Sequence, residues 1–155
     1  MSMFKVIKAV QIFVLLVTSV VIISCDAEVK DNGMGEFLPV EKAFVLSVSS
    51  TDKDSISARW DIADGYHLYK DKFEFALVND DYQIVSLDMP KGKMIEDKIF
   101  GNKESYDRSM EVKILLKPVN DSGKVIVKTS YQGCSEKGLC YPPQSVETEL
   151  MLKGS

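Results

Sequence analysis

Ser55-Ile56-Ser57-Ala58-Arg59-Trp60-Asp61-Ile62 decides the fold class, because Ile56, Ala58, Trp60 and Ile62 alternate with Ser55, Ser57, Arg59 and Asp61. Successive side chains of an extended strand point to opposite faces, so a period of two makes one face apolar and the other polar. An amphipathic helix would repeat at 3.6. The same alternation recurs in Val112, Ile114 and Leu116, in Val125 and Val127, and in Val146, Thr148, Leu150 and Leu152 opposite Glu147, Glu149 and Lys153. With further stretches at 43–49, 66–70, 73–79 and 82–89, about eight half-buried strands are expected. Thr51-Asp52-Lys53-Asp54, Ala63-Asp64-Gly65, Asn79-Asp80-Asp81 and Asn120-Asp121-Ser122-Gly123 supply turns between them. No segment after residue 25 sustains a helical period. The expectation is an all-β, immunoglobulin-like antiparallel sandwich over 38–153, in which two sheets cover each other's apolar faces.

One stretch departs from this rhythm. Pro90 to Arg108, PKGKMIEDKIFGNKESYDR, is too long for a hairpin connection and too irregular for a strand pair. It contains Met94, Ile95, Ile99 and Phe100, so a long loop that packs on something, or covers a sandwich edge, is expected.

A chain of 155 residues has room for one ordinary domain, which excludes a multidomain enzyme. Its first 24 residues, MSMFKVIKAVQIFVLLVTSVVIIS, carry Lys5 and Lys8 ahead of an apolar run, the layout of a secretory signal. Removing it leaves 17 cations against 23 acids, about −6, which argues against a nucleic-acid binder. Ile22-Ile23-Ser24-Cys25 resembles a bacterial lipobox, with Cys25 as the lipidated N-terminus; a plain signal peptide or an uncleaved anchor is the alternative. Asp26 resembles an inner-membrane retention signal of the enteric type. Residues 25–37 then read as the lipidated cysteine and a flexible tether. If Cys25 carries lipid, Cys134 and Cys140 remain as a pair that can be oxidised outside the cytoplasm.

Several chemistries fall away. His67 is the one histidine, so a zinc site would have at most Cys134, Cys140 and a distant imidazole, short of four ligands. No local signature brings His67 beside either cysteine as a nucleophile pair. Gly33-Met34-Gly35 has no strand before it and no helix after, so no phosphate-cradling loop is present. Glu96-Asp97 adjoin in sequence, which does not make a catalytic dyad.

What remains is Tyr131 to Pro143, YQGCSEKGLCYPP. Six positions along a helix would turn the side chain by roughly 600° and leave the sulfurs off a common face. In a hairpin with Gly138 at its tip, opposed residues bring their Cβ atoms to roughly 4.5–5.5 Å, within reach of a disulfide. Closing so short a loop contributes roughly 2 kcal/mol, at the low end for disulfides, and the core is large enough to manage without it. The residues by themselves leave a structural staple and a redox site both open.

The string YQGCSEKGLCYPPQ, with DGYHLYK (Asp64 to Lys70), FLPVEKAF (Phe37 to Phe44) and EDKIFG (Glu96 to Gly101), resembles the N-terminal periplasmic domain of the DsbD thiol:disulfide reductase family, in order across about 37–152. The resemblance implies an immunoglobulin-like sandwich whose redox pair is Cys134 and Cys140, with Cys140 forming the mixed disulfide. A thioredoxin-like domain would reduce the pair, which would then reduce periplasmic partners such as disulfide isomerases and cytochrome c maturation thioredoxins. It also implies a cap loop, Glu96 to Gly101, that shields the sulfurs, with Tyr69 beside them. No organic cofactor, no metal and no nucleic acid are implied, and a monomer, lipid-anchored at the periplasmic face of the inner membrane, is expected.

Three positions depart from the family pattern. The cap phenylalanine aligns with Ile99, its aromatic neighbour being Phe100; the cap's acidic pair aligns with Asp97 and Lys98; a tyrosine aligns with His67. If His67 lies near the sulfurs, exchange should depend on pH; an exposed strand histidine is the alternative. No membrane domain or Cys-X-X-Cys domain follows Ser155, so a stand-alone lipoprotein or a fragment is expected. The rival reading is a non-catalytic β-sandwich lipoprotein, a binding module whose disulfide staples a hairpin.

Overall fold

The computed structural model describes residues 37–97, 100–120 and 122–154, and these form an immunoglobulin-like antiparallel β-sandwich, as the periodicity predicts. The signal, Cys25 and the tether before Phe37 lie outside the described residues. One sheet orders β1 (Phe44–Asp52), β2 (Ser55–Ile62), β8 (Met110–Pro118) and β5 (Tyr82–Asp88) as β1-β2-β8-β5. Opposite it, β4 (Glu74–Leu77) and β11 (Gln144–Met151) flank β9 (Lys124–Tyr131). A further sheet runs β10-β3-β7-β6, from β10 (Gly133–Ser135) and β3 (Tyr66–Tyr69) to β7 (Gly101–Tyr106) and β6 (Lys93–Asp97). Among the described residues helix is confined to one turn at Val40–Ala43 and a 3-10 turn at Lys70–Lys72.

The alternating strand sits where its pattern requires. Ile56, Ala58 and Trp60 face Ile114, Val112 and Met110 across the β2/β8 register, and all six are buried. The Trp60 ring meets Phe73, Phe75 and Tyr131 edge to face, at centroid distances of 4.9, 6.2 and 5.7 Å, so one side chain locks the first sheet onto β4 and β9. Phe44 makes the matching contact at the other end, against Tyr66, Tyr131 and Tyr141. That contact brings the core up to the residues flanking the cysteines.

Residues 90–108 do not form the irregular loop expected of them. They contain a hairpin in which β6 and β7 pair antiparallel, from Lys93↔Ser105 to Asp97↔Gly101, with Gly101 at φ 69 in its turn. The expectation failed because only Tyr106 of these two strands joins the buried core, and Glu96, Asp97, Asn102 and Lys103 leave no apolar alternation to read. The root of the hairpin is tied down by Glu104, whose Oε1 accepts from Lys70 Nζ at 2.9 Å and from the Gly92 N–H at 2.7 Å. β10 escaped notice for the related reason that all three of its residues are buried.

Candidate functional site

The two cysteines are placed by β10 and the return of the chain after it. Gly133, Cys134 and Ser135 pair with Leu68, His67 and Tyr66 of β3, and Cys134 also bridges Cys140. The Ser135 N–H donates to the Leu139 carbonyl (2.7 Å) and the Gly138 N–H to Ser135 (2.9 Å), with Gly138 at φ 98. This tight bend, with the glycine at its tip as the sequence suggests, brings Cys134 and Cys140 into a disulfide with Cα atoms 4.0 Å apart. The sulfurs are not equivalent. Cys134 is only 1% exposed, whereas Cys140 is half-buried and lies beside the exposed residues Glu136 to Leu139.

Tyr69, at the end of β3, is the hub of the polar surround. Its hydroxyl donates to Asp97 Oδ2 at 2.7 Å, lies 3.2 Å from Cys134 Sγ and 3.0 Å from His67 Nε2. Burial, then the bonded Asp97 carboxylate, push the phenol well above its ordinary pKa, so it remains a neutral hydroxyl near neutral pH. Asp97 serves a second purpose, since its Oδ1 accepts from the Phe100 N–H (2.8 Å) and closes the tip of the β6–β7 hairpin. Phe100 in turn packs edge-on against the Tyr69 ring at 5.3 Å, with Lys72 Nζ 5.6 Å from its ring centre.

His67 is buried, 6% exposed, which rules out the exposed strand histidine. Burial lowers its pKa from 6.5, while Asp97, then Glu136 and Asp107, pull the other way. The folded protein therefore resists a proton that the unfolded chain accepts below 6.5, and stability is lost as pH falls through that value. In denaturant titrations His67→Gln should flatten the fall just below pH 6.5, ahead of the carboxylate range. An unchanged slope would mean that the imidazole takes its proton freely when folded.

A cleft of about 390 Å³ opens beside the disulfide, between the β6–β7 hairpin and the redox bend. Of the residues expected at the site, Cys134, Cys140, His67, Asp97 and Glu96 line it, while Tyr69 and Phe100 stand behind. Glu96 is exposed on the edge strand, and Lys98 and Ile99 lie outside the described residues. Ile95, noted in the sequence as one of the apolar residues of 90–108, also lines the cleft, as do Ser105, Asp107, Ser135 and Glu136, which were not singled out. Of the latter, only Ser135 and Glu136 carried a signal, by falling between the cysteines. Among the described residues no group of three His, Cys, Asp or Glu is placed to hold a metal.

Residues 35–152 match the family model described as "Thiol:disulfide interchange protein DsbD, N-terminal". The chain is 40% identical over 115 residues to the thiol:disulfide interchange protein DsbD of Pseudomonas fluorescens, covering 74% of this chain and 18% of that protein. It is 36% identical over 112 residues to DsbD 1 of Pseudomonas aeruginosa, covering 72% and 19%. It thus spans about a fifth of the length of these curated relatives. Among solved structures, the reduced DsbD N-terminal domain of Neisseria meningitidis matches at 31% identity and a TM-score of 0.69, covering 78% of this chain and 94% of that one. The complex of the DsbD and PilB N-terminal domains from the same organism matches at 31% and 0.63, covering 74% and 87%.

Proposed function

The chain belongs to the family of DsbD N-terminal domains, and from that premise we propose that it passes electrons between thioredoxin-like proteins by making and breaking the Cys134–Cys140 bond. The observation that carries the reading is the unequal exposure of the two cysteines. Exchange needs a thiolate to reach one sulfur in line with the bond while the other departs. An incoming thiolate meets Cys140 first, Cys134 leaves as the buried partner, and the transient cross-link runs through Cys140. In the opposite direction the Cys140 thiolate attacks a partner's disulfide, and Cys134 closes the ring to release that partner reduced.

The cap expected at Glu96 to Gly101 is supported by Asp97 and Phe100, which contact Tyr69, itself one contact away from Cys134. A relative's N-terminal domain solved with that of PilB supports a protein as the occupant of this face. Among the described residues no helix is long and apolar enough to cross a membrane. The signal-like residues 1–24 and Cys25 support export and a lipid anchor on the periplasmic side of the inner membrane, which would raise the effective concentration of a membrane-bound donor. The staple reading is not favoured, since residues 35–152 match a family described by thiol:disulfide interchange.

Removing the departing sulfur tests the proposal. In cells carrying Cys134→Ala, Cys140 should accumulate in mixed disulfides with proteins bearing a Cys-X-X-Cys motif, released by reductant and identified after non-reducing electrophoresis. Recovery of no such adduct from that variant would favour the staple.

A further inference from the structure

We propose that His67 is the proton acceptor for Cys134, acting through the Tyr69 hydroxyl when Cys134 closes the ring and releases a reduced partner; this rests on the exchange reading above. Cys134 lines the cleft but is only 1% exposed, and the group at hydrogen-bond distance of its sulfur is a protein hydroxyl, which offers its proton a path. Among the described residues, Tyr69 is the side chain that hydrogen-bonds its sulfur, at 3.2 Å.

The Tyr69 hydroxyl touches two acceptors, Asp97 Oδ2 at 2.7 Å and His67 Nε2 at 3.0 Å. With ordinary pKa values of about 6.5 for imidazole and about 3.9 for an aspartate, a proton pushed into this group comes to rest on the imidazole. Burial keeps His67 neutral near pH 7 and so able to accept. The charged groups that face it, Asp97 from β6 at 3.9 Å, Asp107 after β7 and Glu136 after β10, are all acidic and favour the imidazolium once it forms. Because His67 lines the cleft, the proton can then pass to solvent.

In the mixed disulfide, the phenol proton swings from Asp97 Oδ2 and moves to His67 Nε2 while the Cys134 thiol gives its proton to Tyr69 Oη, which requires the imidazole to carry its other hydrogen on Nδ1. The Cys134 sulfur attacks Cys140, the Cys134–Cys140 bond forms, the bond from Cys140 to the partner breaks, and the partner leaves as a thiolate holding the electron pair. The domain is oxidised and the partner reduced. Tyr69 is the catalytic residue here, and His67 is a positioning residue that acts through it.

Dithiobis-nitrobenzoate mixed with the reduced domain separates the two steps, since attack by Cys140 releases one coloured thiolate and ring closure by Cys134 releases the second. For the wild type the second phase should rise with pH through an inflection below 6.5 and level off near neutrality. His67→Gln keeps a hydrogen-bonding amide without a titrating group. Its second phase, read against the first, should be slower by roughly 100-fold at pH 7, lack the inflection and recover steadily in alkali. Tyr69→Phe should lose as much, and the double variant no more than either single one. A damaged fold would not recover with pH. A His67→Gln profile that superimposes on wild type, or is lowered equally at every pH, overturns the relay. Absence of the first phase in the wild type would instead overturn the exchange reading itself.

Discussion

Cys140→Ser is expected to abolish covalent capture of any disulfide partner and to reduce electron transfer to background. The reason lies in where the sulfurs sit. Cys140 is the half-buried one at the mouth of the cleft, and its removal leaves a thiol at Cys134 that is 1% exposed and hydrogen-bonded to Tyr69. A cysteine so buried is shielded from an incoming sulfur. Serine at 140 keeps the volume and the bend, so the fold should survive, with the loss of roughly 2 kcal/mol that opening a loop this short removes. Mixing the variant with an oxidised thioredoxin-fold protein, trapping with acid and counting adducts by mass gives the answer. Adducts on Cys140→Ser, together with none on Cys134→Ala, would reverse the assignment of the two sulfurs.

Gly133→Ala is expected to destabilise the domain by about 3 kcal/mol and to lower its Tm by roughly 10 °C. A Cβ at this position would stand 2.4 Å from the His67 carbonyl oxygen, 2.6 Å from Phe44 Cζ and 2.8 Å from Leu68 Cδ2. The nearest of these is backbone in the paired strand, so relief requires β10 to move away from β3, the pairing that sets Cys134 opposite His67. Exchange should therefore suffer along with stability. Alanine at Gly138 makes the comparison, because that site has open space and only a φ of 98 to resist it, costing about 1 kcal/mol. Thermal unfolding of the two variants side by side checks the ranking. Equal midpoints would mean that β10 is not held against β3 as tightly as the geometry shows.

The legible part of the fold was the part in which each strand has one face on the core. Ile56, Ala58 and Trp60 announce their faces because water is excluded from one side of β2 only. β6 and β7 were illegible because only Tyr106 among their residues enters the core, and β10 because all three of its residues are buried. At the site, the bend carrying Cys134 and Cys140 was readable from spacing and Gly138, and the family resemblance pointed to Tyr69, Asp97 and His67 as neighbours. Asp107 and Ser105 carried no local sign of belonging there.

From the chain of residues alone came a β-sandwich and a cysteine pair at a bend, since alternation and short spacing are local properties that each segment carries by itself. Which sulfur faces solvent, which hydroxyl touches the other, and that a histidine lies behind that hydroxyl were decided only by tertiary structure. Exposure and hydrogen bonding at the sulfurs depend on β3, β6 and β10 meeting across separations of 28 and 65 residues, and such meetings leave no periodic trace in sequence.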